Sequence, residues 1–335
     1  MDSLSHLALG ASIGIAVMGR RTALWKAALW GAVCNNLPDL DTFIGHGDAI
    51  SDMTLHRGAS HALFYLTLAA PPIAWAIVRL QRETALYARW WLTVWLALLA
   101  HPLLDLMTVY GTQLLRPFDE RPYGVGSIFI IDPLYTLPLL VGGGLALSRR
   151  SRNGARWNAA GLALSTLYLA WSFAAQQHAT AVAHESLRAQ GIAAERLLVT
   201  PAPFNTLLWR VLAMTQGSYH EGYYALLDRE RRIEFTRFER GAALIASQRD
   251  NPHVQRLADF SHGFYKLEQR GDEVQIADLR MGQEPTYFFR YTIAELRDSA
   301  SVVVAPRPMG TTSDARRTLP WLWRRMWGDP LPPPR

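Results

Sequence analysis

Positions 63–78 read LFYLTLAAPPIAWAIV and carry no charged side chain. A helix needs about 20 predominantly apolar residues to cross a bilayer, and this run approaches that length. Three further apolar runs with few or no charges in their middles follow at 90–107, 128–147 and 157–174. These four runs predict membrane-spanning helices.

Two shorter apolar runs precede them, at 7–18 and 23–33, on either side of Arg20 and Arg21. They are compatible with short spanning helices or with a re-entrant pair, and we favour two spans. After about position 176, short runs rich in aromatic and β-branched residues predict strands. The sequence therefore predicts an α-helical multi-pass membrane domain of about six short or full spanning helices. A small β-rich α+β extramembrane domain follows it.

Arginine and lysine are concentrated in three short loops, at 20–26, 79–89 and 149–156. Loops of this kind stay in the cytoplasm. With six alternating spans, the N-terminus and the C-terminal domain are therefore expected to be extracytoplasmic. A cleaved signal peptide is not expected, because Asp2 and His6 stand where a signal would hold Lys or Arg.

The composition separates this chain from several classes of protein. A formal net charge of +6 over 335 residues would permit nucleic-acid binding, but 50% of the residues are hydrophobic and only 19% are charged. We therefore expect a lipid bilayer as partner and no nucleic acid. The single cysteine, Cys34, excludes an intramolecular disulfide, and 36 aromatic residues (12 Trp, 12 Tyr and 12 Phe) exclude disorder.

Side chains that can ligate a metal recur in short motifs of the first 135 residues. These motifs are PDLD at 38–41, HRGASH at 56–61 and HPLLD at 101–105. Asp39 and Asp41 are two positions apart, so in an extended segment both carboxylates point the same way and can share one cation. His101 and Asp105 are four positions apart and lie on one face of a helix.

The predicted topology places these residues, together with one from the first helix, near the same membrane face. The metal-ligand candidates are His6, Asp39, Asp41, His61, His101 and Asp105, with His56 beside them. A mixed shell of nitrogen and oxygen suits a divalent transition metal, so we expect one or two ions of Zn, Mn or Fe rather than Ca.

The ordered motifs extend beyond the ligand candidates. They comprise Asp2 and His6 with a helix of small residues, PDLD, HRGASH, HPLLDLMTVYGTQLLRPF at 101–118 and IDP at 131–133. This order resembles the YdjM-like inner-membrane metal-dependent hydrolase family, whose members are described as LexA-regulated or LexA-binding hydrolases. The resemblance covers roughly residues 1–175. It implies a multi-pass protein of the bacterial inner membrane and a metal-dependent hydrolase with a poorly defined substrate.

The residues and the resemblance agree on a mechanism in which bound metal activates a water molecule. His56 is either a further ligand or a general base. Arg57 is expected to bind an anionic group of the substrate, because its planar guanidinium suits phosphate or carboxylate. Asp132 is a candidate partner that orients a ligand histidine. A site at the lipid boundary beside an arginine favours an amphiphilic phosphoester, such as a phospholipid or an isoprenoid phosphate.

Two other functions stay open: an ion- or proton-coupled transporter, and a non-catalytic membrane scaffold with a structural metal.

The sequence predicts four segments. Residues 1–178 form the transmembrane metal-site domain, and residues 179–198 form a connecting helix. A β-rich extracytoplasmic domain spans 199–300, and a basic tail rich in Trp and Pro spans 301–335. The composition of the tail suits an anionic lipid surface, packing on the β-rich domain, or disorder.

Overall fold

The computed structural model of the protein describes residues 1–148, 153–297, 300–310 and 315–334. Within these residues the α-helices are α1 (Ser3–Met18), α2 (Leu24–Asn36), α3 (Ala49–Leu55), α4 (Leu63–Gln81), α5 (Tyr87–Leu106), α6 (Pro133–Leu147), α7 (Gly154–Ala189), α8 (Ala242–Ser247), α9 (Pro252–Phe260) and α10 (Ala315–Met326). Short 3₁₀-helices cover Leu37–Phe43, Ala59–His61 and Thr84–Leu86.

The strands all follow α7. They are β1 (Arg196–Pro201), β2 (Leu208–Met214), β3 (Ser218–Ala225), β4 (Thr236–Glu239), β5 (Tyr265–Arg270), β6 (Glu273–Asp278), β7 (Gly282–Gln283), β8 (Thr286–Tyr287), β9 (Arg290–Arg297) and β10 (Ala300–Pro308). The chain forms two compact units. Unit 1 comprises Met1–Ile44, His56–Phe173 and Pro203–Asn205, and unit 2 comprises Gly45–Leu55, Ala174–Ala202 and Thr206–Arg335.

The predicted membrane domain of about six spans is wrong. Among the described residues, α4 is the one helix that is long and apolar enough to cross a membrane by length and composition. Helices α1 and α6 are apolar but shorter. Helix α6 has 15 residues. At about 1.5 Å per residue its rise is about 22 Å, whereas the hydrocarbon core of a bilayer is about 30 Å thick.

Polar side chains explain why α5 and α7 do not qualify as spans. Helix α5 carries His101 and Asp105, both buried. Helix α7 carries Asn158 and Ser165, which are buried and donate hydrogen bonds to backbone carbonyls of α1 and α6 respectively. These helices are built to bury polar groups against other helices. An apolar run in the sequence is compatible both with a helix that packs on other helices and with a helix that crosses a membrane.

The predicted orientation depends on six alternating spans, so a structure with one candidate span does not support it. This applies to the extracytoplasmic placement of both the N-terminus and the C-terminal domain. Arg149, Arg150 and Arg152, on which the third cytoplasmic loop was based, lie outside the described residues.

Glycines bring α1 and α2 into close contact in unit 1. A side chain at Gly10 would meet the carbonyl oxygen of Gly31 at 2.3 Å, and one at Gly14 would meet the carbonyl oxygen of Ala27 at 2.0 Å. Real side-chain carbons do not approach this closely, so only glycine allows the two helices to pack here. The close packing places the N-terminal part of α1 beside the C-terminal end of α2, where the candidate site begins.

Unit 2 contains the predicted β-rich region. One antiparallel sheet has the order β1-β2-β3-β4, a second has the order β10-β9-β6-β5, and β7 pairs with β8. The turn at Gly271 and Asp272 joins β5 to β6, as expected for a hairpin. The C-terminal part of α7 packs on the first sheet, where Ala179 and Val182 belong to the same buried core as Trp209.

The connecting helix predicted at 179–198 differs from the structure. Helix α7 runs without a break through position 178, and it ends at Ala189. Strand β1 begins at Arg196, within the segment predicted as helix. Leu197, Leu198 and Val199 instead pair with β2, in which Leu212 lies opposite Leu198 and Val211 opposite Val199.

Candidate metal centre

Four residues with metal-ligating side chains converge in unit 1. They are Asp39, His61, His101 and Asp105, and one ligand atom from each lies within 4.8 Å of the others. Asp39 and His61 come from the first two 3₁₀-helices, whereas His101 and Asp105 lie one turn apart on α5. His61, His101 and Asp105 are fully buried. The predicted pairing of His101 with Asp105 on one helical face is present.

Five of the six ligand–ligand distances within this group are close to those of a small cation cage. The Nε2 atoms of His61 and His101 are 3.1 Å apart. Asp39 Oδ1 lies 3.4 Å from the first and 3.3 Å from the second. Asp105 Oδ2 lies 3.5 Å and 3.4 Å from the same two atoms. A tetrahedral site with ligands at about 2.0–2.2 Å has ligand–ligand separations of about 3.3–3.6 Å.

Asp105 shows why this arrangement calls for a cation. Its Oδ2 atom is buried and has no hydrogen-bond partner among the described residues. A buried carboxylate oxygen without a partner is costly, and it is usually paired or bound to a metal. Its other oxygen, Oδ1, receives the amino group of Met1, the Arg57 guanidinium at 3.2 Å and His6 Nε2 at 3.3 Å. Asp105 therefore presents a single free oxygen to the group.

Hydrogen bonds keep the carboxylate of Asp39 ionised. Burial by itself raises the pKa of Asp39, but hydrogen bonds from His101 and His61 outweigh this effect and hold the pKa below its usual range. Burial would lower the pKa of His61, yet the nearby carboxylates of Asp105, Asp39 and Asp41 raise it to about 9. The three carboxylates thus stabilise a positive charge at the position of the His61 ring. A bound metal cation would supply such a charge.

Asp41 lies beside the group of four. It was expected to share a cation with Asp39 in an extended segment, but Leu37–Phe43 is a 3₁₀-helix with Pro38 in its first turn. Successive residues of such a helix advance by about 120°, so carboxylates two positions apart point in different directions. Asp41 Oδ1 instead lies 2.8 Å from His56 Nδ1.

Ser60 links Asp41 to a ligand histidine. Its hydroxyl donates to Asp41 Oδ2 at 2.5 Å and lies 2.9 Å from His61 Nδ1. Because the single hydroxyl proton is donated to the carboxylate, the serine oxygen can accept from His61 Nδ1–H. With a metal ion bound, that chain would favour the tautomer in which His61 Nε2 presents a lone pair to the ion. Neither Ser60 nor its role was expected, although it lies within the HRGASH motif.

His6 also lies outside the group of four but touches two of its members. Its ring stacks on His101 with 3.8 Å between ring centroids, and its Nε2 contacts Asp105 Oδ1. Its Nδ1 lies 3.2 Å from Asn35 Oδ1, and Asn35 donates to the carbonyl of Ala97 at 2.7 Å. Asn35 was not singled out in the sequence. The pair Asn35 and Asn36, one residue before PDLD, is the signal that could have marked it.

Arg57 has positive φ (64°), and its guanidinium is buried against protein groups. It contacts Asp105, donates to Thr108 Oγ1 at 3.2 Å and lies over the Tyr110 ring at 4.8 Å. Its backbone N–H donates to Asp41 Oδ2. Arg57 thus bridges two carboxylates of the site, a role that its position between His56 and Gly58 did not reveal.

Asp132 caps α6. Its Oδ1 accepts from the backbone N–H of Leu134 at 3.0 Å, and its Oδ2 accepts from the Tyr168 hydroxyl at 2.8 Å. A side chain that accepts from the second residue of a helix is an N-cap, and Pro133 follows it at the first helical position. The structure thus gives the IDP motif a helix-capping role.

A helical unit that brings two buried histidines together with the buried Asp105 and the partly exposed Asp39 defines a candidate metalloprotein of the α-helical class. The chain belongs to the YdjM inner membrane protein family, whose sequence profile matches residues 1–179. This confirms the resemblance seen in the motifs, and it indicates that the protein is located in a membrane.

One relative is similar over part of the chain. The uncharacterized protein YfhP of Bacillus subtilis (strain 168) is 30% identical over 142 residues, which cover 40% of this chain and 42% of the relative. The chain thus spans less than half the length of the curated relative that it matches. No solved structure gives a significant match.

Proposed function

We propose that the protein is a membrane-bound, metal-dependent hydrolase whose ion is held by Asp39, His61, His101 and Asp105. The observation that carries the proposal is the unpartnered Asp105 Oδ2 facing two histidine Nε2 atoms in a buried group. Two nitrogen and two oxygen donors suit Zn or Mn better than Ca, which prefers an all-oxygen shell of six to eight ligands. Four ligands support one ion.

The pair formed by Asp41 and His56 supplies a general base in this proposal. Asp41 contacts His56 through Nδ1, which leaves Nε2 to exchange a proton with water or substrate. The His56 side chain is partly exposed, unlike the ligand histidines His61 and His101. A divalent ion at the site would lower the pKa of a water molecule and polarise the substrate oxygen. His56 would accept the proton of that water, and Asp41 would hold the His56 ring in position.

Arg57 acts on the ligand Asp105 in this mechanism. Its guanidinium balances the charge at Oδ1 and orients the carboxylate so that Oδ2 faces the histidines. The Nε atom of Arg57 has no hydrogen-bond partner among the described residues, and because it is buried it would donate only to an anionic group that enters the site. Both roles are compatible, because a guanidinium has five N–H donors.

An amphiphilic phosphoester, such as a phospholipid or an isoprenoid phosphate, is the substrate class we favour. Exposed apolar residues lie next to the candidate ligand residues along the chain. Leu40 and Phe43 follow Asp39, and Phe43 is 83% exposed. Phe64 follows His61 closely, and its ring contacts that of Phe118, which is 79% exposed. Apolar surface of this kind beside a charged site suits a substrate with a polar head and an apolar chain.

The test is a hydrolysis screen with the full chain in lipid nanodiscs, using phospholipids and isoprenyl phosphates and measuring released phosphate or alcohol. We expect activity that a chelator removes and that Zn or Mn restores. His56→Gln should lower the turnover number while bound metal stays unchanged, and Asp119→Ala, outside the site, should leave both unchanged. Bound metal with no hydrolysis of any member would instead support a structural metal in a scaffold.

A further inference from the structure

Helix α10, near the C-terminus, is docked on unit 2 through one face. Trp321 and Leu322 are buried in a core that includes Leu208 and Ala225. The Trp321 ring meets Tyr223 edge-on with 5.1 Å between centroids, and its Nε1 donates to the carbonyl of Leu331. The tail therefore packs on the β-rich region, which was one of the alternatives left open by its composition.

An ion pair fixes the rotation of α10 about its axis. Arg325 is buried and donates to both oxygens of Asp228, at 2.5 Å and 2.7 Å, and to the carbonyl of Tyr223 at 3.1 Å. Just after the helix, Gly328 has φ of 93°, and a side chain there would meet the Leu227 carbonyl at 2.8 Å. Because these contacts hold one face, the opposite face of α10 is held outward.

That outward face is apolar and basic. Leu319, Trp323 and Trp327 follow each other at helical spacing and are 51%, 62% and 55% exposed. The two tryptophan rings contact each other with 5.7 Å between centroids. Arg316, Arg317 and Arg324 are exposed as well, and Arg324 pairs with Asp329 at 2.9 Å. Leu227, next to Gly328 in space, adds another exposed apolar side chain.

We propose that this outward face of α10 binds the surface of a bilayer that contains anionic lipid. Exposed tryptophans beside arginines are the composition of an interfacial helix, in which the rings enter the headgroup region and the cations meet phosphate. The charge of the face is complementary to anionic headgroups, and the chain belongs to an inner membrane family with a candidate span. A bilayer is thus the partner already next to this protein.

The hydrophobic and the electrostatic contributions to binding of α10 to the bilayer can be tested separately. The full chain, with Cys34→Ala, is labelled with a fluorophore at Leu319→Cys and inserted into nanodiscs that carry a quencher on the lipid chains. One set of discs contains phosphatidylcholine alone and the other also contains phosphatidylglycerol. A label at Asp272→Cys, on the β5–β6 turn, serves as the reference for unit 2.

We expect the Leu319 label to be quenched more in anionic discs than in neutral ones, with the difference lost at high salt. Replacing Arg316, Arg317 and Arg324 by Gln should reduce the equilibrium constant for contact of α10 with the anionic bilayer by about 100-fold. Each basic residue near an anionic surface contributes about fivefold. A matched triple replacement of exposed arginines elsewhere in unit 2, Arg237, Arg249 and Arg270, should leave the quenching unchanged.

The apolar part has its own control. Trp323→Ala with Trp327→Ala should reduce quenching in both kinds of disc, whereas Phe288→Ala, at another exposed aromatic of unit 2, should not. Equal quenching of the Leu319 label in neutral and anionic discs would overturn the proposal. It would also be overturned by quenching no greater than that of the Asp272 label, or by both arginine triples having the same effect.

Discussion

Removing the Ser60 hydroxyl should weaken metal binding without abolishing it. The hydroxyl donates to Asp41 Oδ2 and can accept from His61 Nδ1–H, so with metal bound it would favour the tautomer in which the lone pair is on His61 Nε2. In Ser60→Ala this selection is lost. Asp41 Oδ2 lies 3.5 Å from His61 Nδ1 and can replace the serine only in part.

The expected loss of metal affinity follows from the known contribution of a hydrogen-bond partner of a ligand histidine. Loss of a hydrogen-bond partner of a ligand histidine typically costs about 10–100-fold in metal affinity. This corresponds to about 1.4–2.7 kcal/mol, since each factor of ten is about 1.4 kcal/mol. Because Asp41 remains close to the His61 ring, we expect the loss of metal affinity in Ser60→Ala to be near the lower end of this range, at about tenfold.

The assay is a competition titration of the full chain in detergent, in which a chromophoric chelator and the protein compete for Zn. Ser165→Ala is the matched control, because Ser165 is another serine of unit 1 and its hydroxyl donates to the carbonyl of Tyr135 rather than to the candidate ligands. Wild-type affinity in Ser60→Ala, or an equal loss in Ser165→Ala, would refute the proposed role of the hydroxyl in orienting His61.

Other variants test the ligands, the base and the packing beneath them. His101→Ala should lose bound metal in elemental analysis while the protein still inserts into membranes, and Asp119→Ala should retain the metal. His56→Gln should flatten the pH dependence of turnover at unchanged metal content, because Gln cannot exchange the proton. Gly31→Ala should destabilise unit 1 in thermal unfolding, since the added carbon would meet a backbone oxygen at 2.1 Å. Gly144→Ala, in open space on α6, should be neutral or stabilising by up to about 1 kcal/mol.

Local spacing predicted the parts of the site that lie on regular helix. His101 and Asp105 were placed on one face because an α-helix repeats every 3.6 residues, and α5 fulfils this. Asp39 lies in the group as predicted, but its sharing of one cation with Asp41 was predicted for an extended segment, whereas residues two positions apart in a 3₁₀-helix point in different directions. Nothing in PDLD distinguishes the two before the chain is folded.

Long-range partners were beyond the reach of the sequence. Asn35 contacts His6 only because glycines let α1 and α2 approach. The number of spans was overestimated for a similar reason. Apolar runs measure how much surface a helix must bury, but they do not say whether lipid or other helices cover it. Buried Asn158 and Ser165, which bond to neighbouring helices, show that α7 packs against protein along the part predicted as a span.

X-ray absorption spectroscopy at the metal edge tests the central claim most directly, using the full chain loaded with Zn. The four-residue group predicts one ion per chain with nitrogen and oxygen donors at about 2.0–2.2 Å, no sulfur, and the outer-shell scattering of two imidazole rings. His101→Ala should reduce this scattering to one ring or remove the ion. An all-oxygen shell, or a two-imidazole signal that survives in His101→Ala, would contradict the assignment of the metal centre.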